Sequence, residues 1–430
     1  MNDKRILVLS MSAWNSKVGS DTWATLMGQY KPENVANICL REEKPDSSAA
    51  GSYFVISENR IIKSVLKRKT KTGYVVNTDA TDDSHSEDLK EHNERYKKMS
   101  KKRSYSRLLA REMIWWLGKW KTKELCDFVD NFKPDIVLFF MDGYIHFNRL
   151  CRFVIKRTGA KAIGFFVDDN FTYKQSKGLG FKAYRFLQRR SLKKLAKKTD
   201  GFWAITDMTK EEADKTFKIN STVVTKPLRT LPTYTPKACS SPVKILYTGN
   251  LQIGRDRSLL KVVDALKEIN RDKIKFEIDV YTKTVLSEEM ASALNCGYCH
   301  IHDPIPQAEV FKLQAEADIL LFLEDVDGKD ARTARLSFST KITDYLSASK
   351  CILAIGCLET APMRYFVDNG SAIVAQSEDE IRQRLLEIEN DNALLEKYAK
   401  AACQCGIENH NKEEILNLVD KTIEEVLNGD

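Results

Sequence analysis

A short stretch, GNLQIGRDR over residues 249–257, places two glycines and two arginines directly before an amphipathic run. Glycine lets a backbone approach a ligand closely, and a helix N-terminus flanked by arginine suits a phosphate. Gly249, Asn250, Arg255 and Arg257 are therefore candidate anion-binding residues. Further along, STKITDYL over 339–346 offers Ser339 or Thr340 as the cap of a helix that carries Lys341 and Asp344. These two are three residues apart, on one face of the helix. A cation and a carboxylate so placed suit a phosphate and a hydroxyl-bearing group. In the first half, the apolar run before Asp168 and Asp169 reads as a strand ending in two acids, at the end where open α/β sheets bind ligands. Either carboxylate could orient or deprotonate a hydroxyl, which makes both catalytic candidates.

Such residues need elements to position them. Strand-like runs occur at 5–10, 35–40, 53–56, 135–140, 162–167, 201–205 and 222–225, most of them separated by helix-length polar or amphipathic stretches. Alternation of this kind predicts an α/β domain with a parallel sheet. After a proline-containing link at 231–242 the pattern restarts at 243–247, 275–281, 300–302, 319–322, 351–355 and 372–375. A second Rossmann-like domain follows. Residues 413–427 carry apolar side chains at helical spacing, which predicts a C-terminal helix docked on a domain. The expected division is 1–235, 243–410 and a docking helix 411–430. Residues 79–94, polar and mixed in charge, read as a loop with no chemistry.

The two motifs together resemble the donor domain of GT-B glycosyltransferases. There, a Gly-Asn-Leu or Gly-Arg-Leu loop precedes a Ser-Lys-x-x-Glu-Tyr-Leu helix. The segment HDPIPQAEVF at 302–311, followed by ADILL at 317–321, resembles that family's nucleobase loop, helix and strand. The resemblance is clearest over 243–376. It implies two facing Rossmann-like domains with a cleft between them, and transfer of a sugar from a nucleotide diphosphate sugar to an acceptor. It puts Arg255, with Arg257 as an additional candidate, and Lys341 on the donor diphosphate, Asp344 on the ribose hydroxyls, backbone of 302–306 on the base, and Gly19 in the acceptor-side loop. It also leans toward retention of anomeric configuration. Three positions depart from the pattern. Asn250 stands where an arginine is frequent, Leu336 where the first of two glutamates would contact the sugar, and Ser349-Lys350-Cys351 replaces Gly-Lys-Pro. Glu324, Asp325, Asp327 and Asp330 remain alternatives for the absent glutamate. Residues 12–23 and 56–60 resemble bacterial surface-polysaccharide transferases.

The chain of 430 residues has 43% hydrophobic and 30% charged residues, values that exclude wholesale disorder and coiled-coil arrays. Its longest apolar run, 136–141, is far below the ~18 residues of a membrane-spanning helix. Charge divides unevenly: residues 1–240 hold 46 Lys and Arg against 27 Asp and Glu, while 241–430 hold 22 against 33. The basic first half implies an anionic partner, and its densest block is 151–200. No nucleic-acid-binding signature accompanies the charge. The expected partners are a nucleotide diphosphate sugar, a lipid-linked or oligosaccharide acceptor and an anionic membrane surface, with no nucleic acid. The ten cysteines are dilute, and no leader-like segment opens the chain, so the expectation is a cytoplasmic protein, peripheral at the membrane's inner face. The CGYCHIH segment at 296–302 invites a metal or haem reading that the absence of an export signal disfavours. No cofactor or metal is expected. Trp115, Trp116 and Trp120 are expected to pack into the core, with an interfacial membrane helix as the alternative. A non-catalytic scaffold of the same fold is the competing reading of the whole chain.

Overall fold

The computed structural model describes residues 3–14, 22–42, 44–76, 104–328 and 330–429. Gly19 and the polar segment 79–94 lie outside these described residues. The chain divides into two compact units, Met1–Val224 with Leu416–Asp430, and Thr225–Ile415.

The first unit is built on eight strands: β1 (Ile6–Ser10), β2 (Val35–Cys39), β3 (Ser52–Ile56), β4 (Gly73–Val76), β5 (Ile136–Phe140), β6 (Lys161–Phe166), β7 (Gly201–Ala204) and β8 (Thr222–Val223). Their order in the sheet is β4-β3-β2-β1-β5-β6-β7-β8. All neighbours run parallel except β3 and β4, which pair antiparallel. Sequence reading missed β4, and its burial explains why: an edge strand with one face toward solvent lacks the continuous apolar run that marks the inner strands.

The second unit contains β9 (Val243–Thr248), β10 (Phe276–Tyr281), β11 (Cys299–His302), β12 (Ile319–Leu323), β13 (Cys351–Ile355) and β14 (Ile373–Ala375). Every neighbouring pair is parallel, in the order β11-β10-β9-β12-β13-β14. The strand order reverses between β9 and β12, and at such a switch point the loops after the two strands diverge and leave a crevice. Ile245, Ile319, Leu321, Leu353 and Ile355 are buried in the core that supports it.

The final helix, Lys412–Asn428, carries Leu416 onward into the first unit. Lys4 Nζ binds Asp420 at 3.0 Å, and the Trp203 indole N–H donates to Thr422 Oγ1 at 3.0 Å. The expected docking helix is thus part of the first unit. Among the described residues no helix is long and apolar enough to cross a membrane.

Candidate functional site

In the second unit, the loop after β9 and the segments after β12 and before the helix Thr340–Ala348 meet at the switch point. Gly249 has φ +137°, and a Cβ there would fall 2.4 Å from Lys341 Nζ, so the glycine suits both the backbone shape and the approach of the lysine. Gly254 has φ +79° and precedes the helix Arg255–Ile269, where a Cβ would strike the fully buried Asp325 carboxyl at 2.6 Å.

The two arginines of this loop are engaged within the protein. Arg255 donates from Nε to the Leu323 carbonyl at 3.0 Å, from Nη1 to Asn250 Oδ1 at 3.1 Å, and from Nη2 to both Glu324 oxygens at 2.9 and 3.1 Å. Burial works against the Arg255 charge, but Glu324 more than offsets it and raises its pKa above the ordinary value. Arg257 reaches Asp330 at 2.8 Å and Asp325 at 3.3 Å. Asn250, at the position where the family often has arginine, orients Arg255 through its side-chain oxygen.

Lys341 is different. Its ammonium donates to the Tyr247 hydroxyl at 3.0 Å and lies 4.2 Å from the centre of the same ring. Two of its three N–H donors have no hydrogen-bond partner among the described residues. Burial, and then the positive charge of Arg255, pull its pKa down to about 7 against the opposing influence of Glu324. Lys341 stands in the first turn of the helix Thr340–Ala348, whose N-cap Ser339 makes no side-chain cap bond. The Ile342 amide donates to the Ser339 carbonyl at 3.0 Å, which leaves the Thr340 and Lys341 amides open to an acceptor among the described residues, and Thr340, the first residue, is exposed. One turn on, Asp344 is half-buried, and burial raises its carboxyl above the usual range while Lys226 and Arg229 pull the other way.

Lys226 is fixed from behind. Its carbonyl is 2.7 Å from His410 Nδ1, and Tyr365 Oη is 2.7 Å from His410 Nε2. The Lys226 carbonyl can only accept, so Nδ1 carries the proton and donates; burial lowers the imidazole's pKa to about 4, which leaves the ring neutral near pH 7 with Nε2 free to accept from the Tyr365 hydroxyl. In the nucleobase-like segment, His302 stacks on Tyr281 with ring centres 4.6 Å apart and meets Asp279 at 2.7 Å.

Glu324, one of four acids left open by the sequence, is buried and held by Arg255, while Leu336 is wholly buried in place of the family's first glutamate. Asp325, Asp327 and Asp330 all face Arg257. Tyr247 was not anticipated, because a tyrosine inside an apolar strand reads as core; its hydroxyl, donating to the Asn250 carbonyl at 2.6 Å and accepting from Lys341, and its ring beneath the Lys341 ammonium tie it to the site.

The two acids of the first unit separate. Asp169 is buried and accepts from the Thr172 amide at 2.9 Å and its hydroxyl at 2.5 Å, an arrangement that closes a turn. Asp168 is exposed. Asp142, two residues beyond β5, occupies the position on its strand that Asp168 occupies after β6. Burial and the Asp168 charge push its carboxyl up to about 6. Sequence reading did not select Asp142, since nothing local distinguishes it from a loop acid.

No family model and no curated protein sequence matches the chain. Solved structures do. Anabaena HepE in complex with UDP is similar over 98% of this chain and 100% of its own, at 9% identity and a TM-score of 0.64. The α,α-trehalose 6-phosphate synthase of Burkholderia multivorans is similar over 99% and 97%, at 9% identity and a TM-score of 0.59. The UDP-GlcNAc 2-epimerase of Neisseria meningitidis, bound to UDP-GlcNAc, is similar over 98% and 99%, at 12% identity and a TM-score of 0.51. With two Rossmann-like units, parallel sheets and a final helix that returns to the first unit, the chain has the GT-B fold.

Proposed function

We propose that the protein is a glycosyltransferase that takes a sugar from a nucleotide diphosphate sugar and passes it to a glycan acceptor, lipid-linked, in the synthesis of a bacterial surface polysaccharide. The observation that carries this reading is Lys341, an ammonium with open donors beside Gly249 at the switch point, one helical turn from Asp344. Lys341 and the open amides of its helix bind the diphosphate, and Asp344 accepts from the ribose hydroxyls. As the bond between the anomeric carbon and the phosphate oxygen breaks, its electron pair goes to the leaving diphosphate. Preorganised donors stabilise that growing charge. The acceptor oxygen forms the new bond to the anomeric carbon and gives up its proton to the acceptor-side carboxylate. Asp168 is the acceptor-side carboxylate in this reading, and Asp169 shapes the turn that presents it. Retention of configuration, hexose as the sugar, and attachment to an anionic membrane face on the cytoplasmic side complete the proposal. The fold shared with HepE, crystallised with UDP, supports the nucleotide part.

A scaffold without catalysis is favoured by one arrangement, Arg255 closed on Glu324 with Leu336 buried nearby in sequence. A panel of uridine and guanosine diphosphate sugars read by thermal shift separates the two. Stabilisation by a nucleotide sugar, lost in Lys341→Met, supports the donor site, and no stabilisation by any member at millimolar concentration overturns it. Because the fold also includes a UDP-GlcNAc 2-epimerase, the sugar product must then be identified: transfer to an acceptor supports the proposal, and an epimerised nucleotide sugar overturns it.

A further inference from the structure

The helix Tyr105–Leu117 of the first unit turns Trp115 inward and leaves an apolar stripe outward. Tyr105, Leu109, Met113, Trp116 and Leu117 are all exposed, Met113 at 62% and Trp116 at 68%. Their spacing covers one face of the helix. The expectation that all three tryptophans of this region pack into the core is corrected here: Trp115 and Trp120 do, and Trp116 does not.

A second helix, Leu179–Ala196, adjoins the first. The Tyr105 ring lies 6.4 Å from Phe181 and 6.1 Å from Tyr184, and a Cβ on Gly180 would come within 3.1 Å of it. This helix buries Phe181, Tyr184, Arg185, Gln188, Leu192 and Leu195. Its outer face begins with Leu179 at 84% and Phe186 at 56% exposure, and continues along the same side into exposed Arg190, Lys193, Lys194 and Lys197. Residues 171–199 contain no Asp or Glu. Arg185 faces inward and Arg189 donates to the Phe171 carbonyl at 2.6 Å, so these two belong to the fold rather than to the outer face.

We infer that these two helices form one docking surface for an anionic phospholipid bilayer, with Met113, Trp116, Leu179 and Phe186 entering the interface and the cations of the second helix beside the headgroup phosphates. A protein partner is a poorer match, since interface cores are depleted in lysine. An exposed tryptophan in an apolar stripe that runs into lysines and arginines is the pattern of an interfacial helix. This surface extends the membrane part of the proposed function, and it stands apart from the donor site.

The experiment uses the full chain with vesicles of phosphatidylcholine alone and with about one-third phosphatidylglycerol. The protein should sediment with the second and not the first. Met113→Ser with Trp116→Ser should lower partition by roughly tenfold or more, and Arg190→Gln, Lys193→Gln, Lys194→Gln and Lys197→Gln together by a similar factor. Vesicles should also shift tryptophan emission to the blue in the wild type but not in Trp116→Phe. Thermal stabilisation by a nucleotide sugar should persist in all variants, which shows that they fold and keeps this test independent of the donor site. No sedimentation of the wild type overturns the inference. So does sedimentation unchanged by the Met113 and Trp116 substitutions, or self-association that those substitutions abolish, which would make the face a contact between copies.

Discussion

Arg255 and Glu324 form a two-oxygen ion pair, Nη2 to both carboxylate oxygens at 2.9 and 3.1 Å, in the second unit's switch-point crevice. Both side chains are largely withdrawn from solvent. A charge so placed is stable only with its partner, so the pair is first an element of the fold.

Arg255→Ala should therefore lower the stability of the protein by about 3 to 5 kcal/mol, because Glu324 is left buried and uncompensated. Arg255→Met combined with Glu324→Leu should recover most of that loss. Urea unfolding of the three proteins checks this, and an Arg255→Ala protein as stable as wild type would show that the pair is open in solution.

Lys341 should make donor binding depend on pH. Its pKa of about 7 in the free protein must rise when an anion joins it, so the complex binds a proton. Affinity for a uridine diphosphate sugar should fall as pH rises from 7 toward the higher value of the complex. Lys341→Arg should flatten that slope. Lys341→Ala should weaken binding at pH 6.5 by roughly 1.5 to 3 kcal/mol, the range of a hydrogen bond to a charged group. Calorimetric titration at three pH values measures both effects.

Asp344→Asn should separate nucleoside from phosphate recognition. In the proposed function the carboxylate accepts from ribose hydroxyls, so the affinity for a uridine diphosphate sugar should drop several-fold while that for inorganic pyrophosphate holds or rises. An equal loss for both ligands would assign Asp344 a structural role beside Lys226.

In the first unit, Asp169→Asn should cost about 1 kcal/mol of stability by weakening the two bonds to Thr172, with activity reduced only in proportion to folded protein. Asp168→Asn should depress turnover by more than any loss of folded protein accounts for. It should also let the Asp142 carboxyl titrate below its value of about 6, since the Asp168 charge helps to raise it. Carboxyl-resolved NMR titration reads that change directly.

His410 makes stability fall in acid. Its pKa is about 4 in the folded protein and about 6.5 when unfolded, so the unfolded state binds the proton first. The contribution is complete above pH 6.5 and is lost as pH falls to 4, by roughly 3 kcal/mol. His410→Gln should unfold with a flatter pH dependence over that window.

The alternation of apolar runs with helical stretches determined the two sheets by itself. Thirteen of the strand positions are legible, the inner ones most plainly, because a parallel strand covered on both faces needs a continuous apolar run, as in IVLFF and ILLFL. The glycines at 249 and 254 and the pair Lys341 and Asp344 were legible as well, since close backbone approach and helical spacing are local properties. What the tertiary structure alone decided is pairing. Arg255 and Glu324 are 69 positions apart, and only the adjacency of β9 and β12 brings the start of one helix to the end of the other strand. The same reason separates Asp168 from Asp169, turns Trp116 outward while Trp115 turns in, and returns the final helix to the first unit. Residue type specifies what a side chain can bind, but the partner it finds depends on which elements the sheet order makes neighbours.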